Sequence, residues 1–300
     1  MGGLGLSRHA DEFALVARAF ETHAGDAVVG IGDDAAVLPG GTLVATDTLL
    51  EGRHFIADAD PERIGRKAIA VNLSDIAAMA GRPRFATIAL TVGRGWTAVR
   101  CKRLLGGLRR TAEQFGVQVV GGDTTSWDEP LAISVTVVGE AEKPVLRSGG
   151  RPGDVLCVTG PLGDSLASGR HLTFEPRVAE AAAIAARCRI TAMIDLSDGI
   201  SSDARHLAVA SGCGVELNAA AIPCRTTLEA ALHDGEDFEL LMAIDPDDAA
   251  PVLRNPPVPL FAVGRLVASR VPSVTLVTAD RSVAVEPRGW SHSVASHSVE

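Results

Sequence analysis

The chain has 300 residues, 46% hydrophobic and 22% charged, with a net charge of −9. That length buries a large core in one large domain or two of ordinary size. An acidic balance without a basic cluster excludes a nucleic-acid or anionic-membrane surface, while divalent cations can still reverse the local sign for a phosphate ligand.

The five cysteines, Cys101, Cys157, Cys188, Cys213 and Cys224, form no CxxC and no Cys/His ligand spacing. Scattered in apolar runs, they read as reduced and cytoplasmic. The N-terminus MGGLGLSRHADEF lacks the pattern of a signal peptide, and no apolar run reaches transmembrane length. Tyrosine is absent and aromatics are 4%, too few for base-stacking platforms.

In chain order, Ser7–Phe20 reads as a helix, with Phe13, Val16, Ala17 and Phe20 on one face. Val28–Ile31 and Ala36–Leu38 read as strand, Pro39-Gly40-Gly41 as a turn and Thr42–Thr46 as strand. This stretch carries Asp33, Asp34 and Asp47 beside apolar runs. A carboxylate at the end of a buried strand needs a partner. Acids with a Gly-rich backbone suggest a metal–phosphate complex. GIGDDA formally matches a dinucleotide-binding turn, but a strand follows it instead of a helix, and two aspartates would repel a pyrophosphate. No GxxxxGK[ST] loop and no HRD or DFG constellation occurs.

Glu51–Phe55 reads as loop. Taken alone, its His54 is a surface histidine; beside a metal–phosphate site it is a donor to a substrate oxygen. Asp60-Pro61 is a good N-cap and N1 pair, opening a helix that runs to Met79 and stops at Gly81. Ile64, Ala68, Val71 and Asp75 share one face of it. Asp75 thus ends an apolar stripe. An acid in a last helical turn is disfavoured by the helix dipole, which points to a ligand role over simple exposure.

Phe85–Val92 reads as strand, Thr97–Phe115 as helix, and Val117–Val120 as a buried strand ending in the turn GGDTT, with Gly122 and Asp123. Strand ends are where ligands sit in α/β sheets. After the strand Leu131–Gly139, the polar, Gly-rich Glu140–Arg151 reads as a domain boundary, giving domains 1–140 and 141–300. Arg147 lies in it beside Ser-Gly-Gly, which suits either a surface loop or a guanidinium grip on phosphate.

The second half restarts an alternating pattern. Asp154–Thr159, Ile190–Ile194, Val215–Leu217, Phe238–Ile244 and Leu260–Val263 read as strands, with helices over Pro176–Cys188 and up to about Ser211. IDLSDG places Asp195, Ser197 and Asp198 at a strand end. Capping accounts for one of these acids, not both. DGEDFEL packs Asp234, Glu236, Asp237 and Glu239 just ahead of the apolar LLMAI, so part of this acidic run is held at a strand end.

GIGDDAAVL, ATDTLLEGRHF, IGRKAIAVNLSDIAAMAG, GGDTT, RSGGRPGD, VTGPLGDS, MIDLSDGISSD and GEDFELL occur in this order. Together they resemble the thiamine-monophosphate kinase family, of the superfamily that includes aminoimidazole ribonucleotide synthetase. The resemblance covers most of residues 10–265, with a weaker echo at Arg288-Gly289-Trp290. It implies an α/β (α+β) two-domain fold, with an N-terminal mixed sheet bearing helices and a C-terminal α/β domain. It implies a homodimer built by the N-terminal domains, and ATP-dependent phosphorylation of thiamine monophosphate to thiamine diphosphate. It also implies several Mg2+ ions held by Asp34, Thr46, Asp47, Asp75, Asp123, Asp195 and Asp198. Gly122, Asp123, Arg147 and Ser197 match ATP contacts, and His54, Glu236 and Trp290 match substrate contacts. No general base is implied. The chain departs from the pattern at Ala45, where a hydroxyl residue is usual, and is shorter around 169–176 and 223–232. Other readings are a kinase or ATP-dependent ligase of the same superfamily acting on another phosphorylated small molecule, or a non-catalytic nucleotide-binding paralogue.

Overall fold

The computed structural model describes residues 9–11, 26–289 and 293–295. Residues 9–11 form strand β1 (His9–Asp11), not the start of the expected helix, whose remainder lies outside the described residues. β1 pairs antiparallel with β14 (Ser293–Ala295), so that segments near the two chain termini meet.

The first half builds a five-stranded mixed sheet. Its strands are β2 (Ala36–Leu38), β3 (Thr42–Leu50), β4 (Arg82–Val92), β5 (Gln118–Ser126) and β6 (Ala132–Glu140), in the order β2-β3-β6-β4-β5. Only β4 and β5 run parallel. Two helices, α1 (Pro61–Ala78) and α2 (Ala98–Gln114), cover one face. Asp60 caps α1 by accepting the Glu62 N–H at 3.0 Å, and Thr97 caps α2 by accepting the Arg100 N–H at 3.3 Å. Alternation along β3 sends Leu43, Ala45 and Leu49 into the core under α1. Its other face is hydroxyl-rich: Thr46 pairs with Thr136 at 3.0 Å and Thr48 with Ser134 at 2.6 Å. Phe85 and Val119 are exposed. Among the described residues, no helix lies over that face.

Two local expectations differ from the structure. Val28–Ile31 is not a strand: Val29 and Ile31 make single bridges, to Val37 and Asp33, and Val28 and Ile31 are exposed. The three-residue β2 offers too little edge for a ladder. GGDTT is not a turn after a buried strand either, but the middle of β5, which is exposed along its length because it forms the sheet edge.

The second half forms a seven-stranded sheet in the order β13-β12-β9-β11-β7-β10-β8. These strands are β7 (Val155–Val158), β8 (Ile190–Asp195), β9 (Gly214–Asn218), β10 (Leu240–Ile244), β11 (Phe261–Val267), β12 (Val274–Val277) and β13 (Ser282–Ala284). Four helices accompany it: α3 (Val178–Ala185), α4 (Ile200–Ser211), α5 (Leu228–His233) and α6 (Pro246–Arg254). LLMAI is buried throughout because both its faces are covered. Leu241 and Ala243 join the core under α4 and α5, while Leu240, Met242 and Ile244 join a second core with α3 and α6. That second core also takes in Ala77 and Ala78 from the end of α1. One helix therefore packs on the first sheet along its length and inserts its C-terminal turn against the second.

The helix pair α1/α2 depends on reciprocal glycines. A Cβ at Gly65 would lie 1.9 Å from the Leu104 carbonyl oxygen, and one at Gly107 would lie 2.0 Å from that of Glu62. Gly→Ala within a helix ordinarily stabilises by about 1 kcal/mol. Here Gly65→Ala is expected to destabilise by about 1–3 kcal/mol through overpacking, read as a lower midpoint in denaturant unfolding. An unchanged or higher midpoint contradicts the packing described.

Candidate active site

A cleft of about 580 Å³ opens where the two sheets meet through α1. Three elements deliver acids to its floor. Asp34 comes from the loop before β2, Asp75 from the last turn of α1, and Asp195 from the end of β8. Each offers one oxygen, and the three oxygens lie within 4.8 Å of one another. Asp47 lies close enough to them that its charge bears on Asp75 and Asp195.

The electrostatics follow from this crowding. Burial first, then the Asp47 and Asp195 charges, pushes Asp75 well above the usual carboxylate range. Burial and the Asp34 charge push Asp195 up to about 8, against the opposing pull of Ser74 and Arg147. Asp47 is raised chiefly by burial. Few cations oppose this. Arg147 forks onto Asp34, with Nη2 at 2.8 Å and Nε at 3.2 Å. Ser74, one residue before Asp75, donates to Asp195 at 2.6 Å and so ties the two sheets together. Asp33 plays a different part. It accepts the Arg147 backbone N–H at 3.1 Å and the Asp34 N–H at 3.1 Å, holding the Arg147 loop in place. Burial, with the Asp34 charge second, pushes it up to about 6.

The cleft gathers ten of the residues singled out from sequence: Asp34, Thr46, Asp47, His54, Asp75, Arg147, Asp195, Ser197, Asp198 and Glu236. Gly122 and Asp123 do not line it. The register runs from Asp47 to Val135, Ile88 and Gly122, so Gly122 is level with Asp47 but three strands away. That is about 14 Å at the spacing of paired strands. Trp290 lies outside the described residues. Gly289 before it lines the cleft, and a Cβ there would fall 1.8 Å from the Asp198 carbonyl oxygen. Gly289 is thus pressed against the DLSDG loop.

Sequence reasoning missed Asp203 and Lys67, and it did not separate the roles of Glu239 and Asp237 within DGEDFEL. Asp203, buried on α4, accepts the Asp198 N–H at 3.2 Å and faces Asp198 and Asp195 electrostatically. Lys67 is buried behind the cleft wall, bonded to Glu236. Its signal was available, since Lys67 falls between Ile64 and Val71 on the apolar stripe of α1. Glu239 is held by Arg177 at 2.7 and 2.9 Å and by Arg170 at 2.5 Å. Asp237 accepts the Gly163 N–H and the Ser165 hydroxyl. These two acids of DGEDFEL fix the loop between β7 and α3 at the strand end.

Oxygen donors without thiols, converging and short of positive charge, suit a hard divalent cation. Asp34, Asp75 and Asp195 could hold one, and Asp47, Thr46 and Asp198 border the same space.

Profiles of the AIR synthase related protein family match the chain, the N-terminal domain over residues 32–141 and the C-terminal domain over 151–277. A thiamine-monophosphate kinase from Rhodopirellula baltica is 38% identical over 289 residues, covering 88% of this chain and 91% of that protein. The chain belongs to the thiamine-monophosphate kinase family. Two solved structures agree with that placement. AaThiL complexed with AMPPCP and TMP superposes with a TM-score of 0.82 at 32% identity, over 94% of this chain and 97% of that one. Thiamine monophosphate kinase from Aquifex aeolicus gives 0.75 at 30% identity, over 90% and 96%. The two-domain α/β fold expected from the sequence motifs is the fold of this family.

Without a divalent cation, the carboxyl crowding has a measurable cost. Between the ordinary carboxylate value and about 8, folded Asp195 holds a proton that the unfolded chain has released. Stability therefore falls as pH rises across that window. Thermal melts in chelator are expected to decline from pH 5 to pH 8, and Asp195→Asn is expected to flatten the slope. A wild-type melting temperature that rises steadily over that range contradicts the cluster.

Proposed function

We propose that the chain transfers the γ-phosphoryl group of ATP to thiamine monophosphate, giving ADP and thiamine diphosphate, in the cytoplasm and with Mg2+ as cofactor. The convergence of Asp34, Asp75 and Asp195 within 4.8 Å carries the reading, in a chain of this family. The relatives matched over most of their length are named as kinases of thiamine monophosphate. Nothing in the cleft favours the ring-closing ligase or the non-catalytic reading.

The acceptor is a phosphate monoester, mostly a dianion above its second pKa of about 6. It needs no general base. The obstacle is bringing one polyanion against another. Mg2+, when bound, supplies the positive charge that offsets this repulsion. Asp34, Thr46, Asp47, Asp75, Asp195 and Asp198 would hold it. Arg147 keeps donors beyond the two that grip Asp34, and with Ser197 borders the nucleotide. His54 and Glu236 border the acceptor, and Trp290 is the third substrate contact in this reading.

Gly122 and Asp123 join this scheme through a second copy of the chain. Mg2+ binds oxygen at about 2.0–2.1 Å, so no ion spans the roughly 14 Å from the Asp47 strand to β5 within one protomer. The β5 edge and the hydroxyl-rich face, both uncovered among the described residues, support a homodimer through the N-terminal domains, divided from the C-terminal domain at about residue 140. Each site then combines Asp47 of one protomer with Asp123 of the partner subunit.

Mass detection of thiamine diphosphate from protein, Mg2+, ATP and thiamine monophosphate tests the activity. Asp75→Asn is expected to lower turnover at least about 100-fold with the melting temperature maintained or raised; near wild-type kinetics would sink the metal assignment. Mixed refolding of the inactive Asp47→Asn and Asp123→Asn chains tests the shared site. Random pairing into symmetric dimers leaves one intact site in half of them, so about a quarter of wild-type activity returns. No recovery from mixed dimers would place both acids in one protomer's site.

A further inference from the structure

Lys67 has no exposed surface, and it does not line the cleft. Its ammonium lies behind two side chains that do. Nζ donates to the His54 carbonyl oxygen at 3.0 Å and to the Glu236 carboxylate. His54 is fixed at its other end as well, because Nδ1 accepts the Leu50 N–H at 2.9 Å. That bond leaves the ring proton on Nε2, as a donor.

Glu236 sits in a strained strap. Glu236 and Phe238 have φ of 58° and 50°, the left-handed region that residues with a Cβ avoid. The Glu236 N–H donates to Ser197 O at 2.6 Å and the Phe238 N–H to Leu196 O at 2.8 Å. Phe238 stacks on Phe174 with ring centroids 4.2 Å apart. Arg66, the neighbour of Lys67, holds the same wall by donating to Phe174 O at 2.5 Å and Glu175 at 2.7 Å. Burying an ammonium is costly, and an apolar side chain would fill the position. What only the charge supplies is a fixed place for Glu236 and for the His54 loop.

The geometry points to Lys67 as the positioning residue of the acceptor site, holding Glu236 and His54 against the organic end of the phosphate monoester. This rests on the kinase reading above. Lys67 and Asp75 are eight residues apart on one side of α1, about 12 Å along its axis. The same rigid helix therefore carries a metal-binding acid for the phosphate end and the anchor for the organic end. Lys67 sets where the acceptor's body lies relative to its phosphate.

The test compares steady-state kinetics of wild type, Lys67→Met, Lys67→Arg, Glu236→Gln and the Lys67→Met/Glu236→Gln double variant, with thermal melts. Lys67→Met is expected to raise the KM for thiamine monophosphate about tenfold or more while the KM for ATP stays within about twofold. Lys67→Arg is expected to recover part of the loss. The double variant leaves no unpaired charge, so it folds even where Lys67→Met does not. Acting through Glu236, Lys67 should add little to Glu236→Gln in the double variant. An unchanged acceptor KM in folded Lys67→Met overturns the proposal. So does a parallel rise of both KM values that follows lost stability, or a fully additive double variant. A wild type that turns over beside an insensitive Lys67 series overturns positioning alone; a wild type that forms no thiamine diphosphate overturns the kinase reading and this proposal with it.

Discussion

Asp34, Asp75 and Asp195 come from a loop, a helix end and a strand end, and meet with oxygens within 4.8 Å of one another. Asp47 adds a fourth carboxyl group, whose charge bears on Asp75. Folding forces these like charges together in a place that water reaches poorly, and Arg147 answers for only part of them. A carboxylate cluster in such surroundings either binds protons or binds a cation. The surrounding architecture keeps the cluster in place despite its repulsion: the Ser74–Asp195 bond, the Asp33 clamp on the Arg147 loop, and the two cores that share α1.

α1 links fold to chemistry. Its middle is wedged against α2 through the Gly65 and Gly107 contacts, and its end is buried under the second sheet. Neither domain can shift along it without breaking packing. Asp75 is fixed relative to Asp47 through the first core and relative to Asp195 through the second. A reaction between two anions needs such rigidity, because reacting groups must align before repulsion separates them. The acidic net charge of the chain is no obstacle, since the local sign at the cleft is set by what the carboxylates bind.

Much of this is legible in the sequence. The eleven-residue spacing from Ile64 puts Asp75 on a buried helix face, and the Asp/Gly clusters after apolar runs mark Asp195 and Asp198. The acidic run DGEDFEL reads correctly as held at a strand end, though its division of labour is not visible there: Asp237 and Glu239 fix a loop, and Glu236 faces the cleft. β5 reads wrongly because Val117–Val120 is apolar, and apolar content cannot separate a buried strand from a sheet edge. Val28 and Ile31 mislead for the same reason. Lys67 escapes notice because a lysine on a helix is ordinarily solvated, and only the three-dimensional position of Glu236 explains its burial. The α5 helix and β12 leave little trace in the sequence because they are short, whereas α6 opens on an Asp245-Pro246 cap pair as legible as that of α1.

Calorimetry of Mg2+ binding at pH 7, in buffers of different ionisation enthalpy, tests the central claim most directly. A cluster whose buried carboxyl groups hold protons until a cation replaces them must release protons as Mg2+ binds, and the observed heat must then vary with the buffer. Binding with buffer-independent heat, or no binding at all, would contradict a cation site formed by Asp34, Asp75 and Asp195.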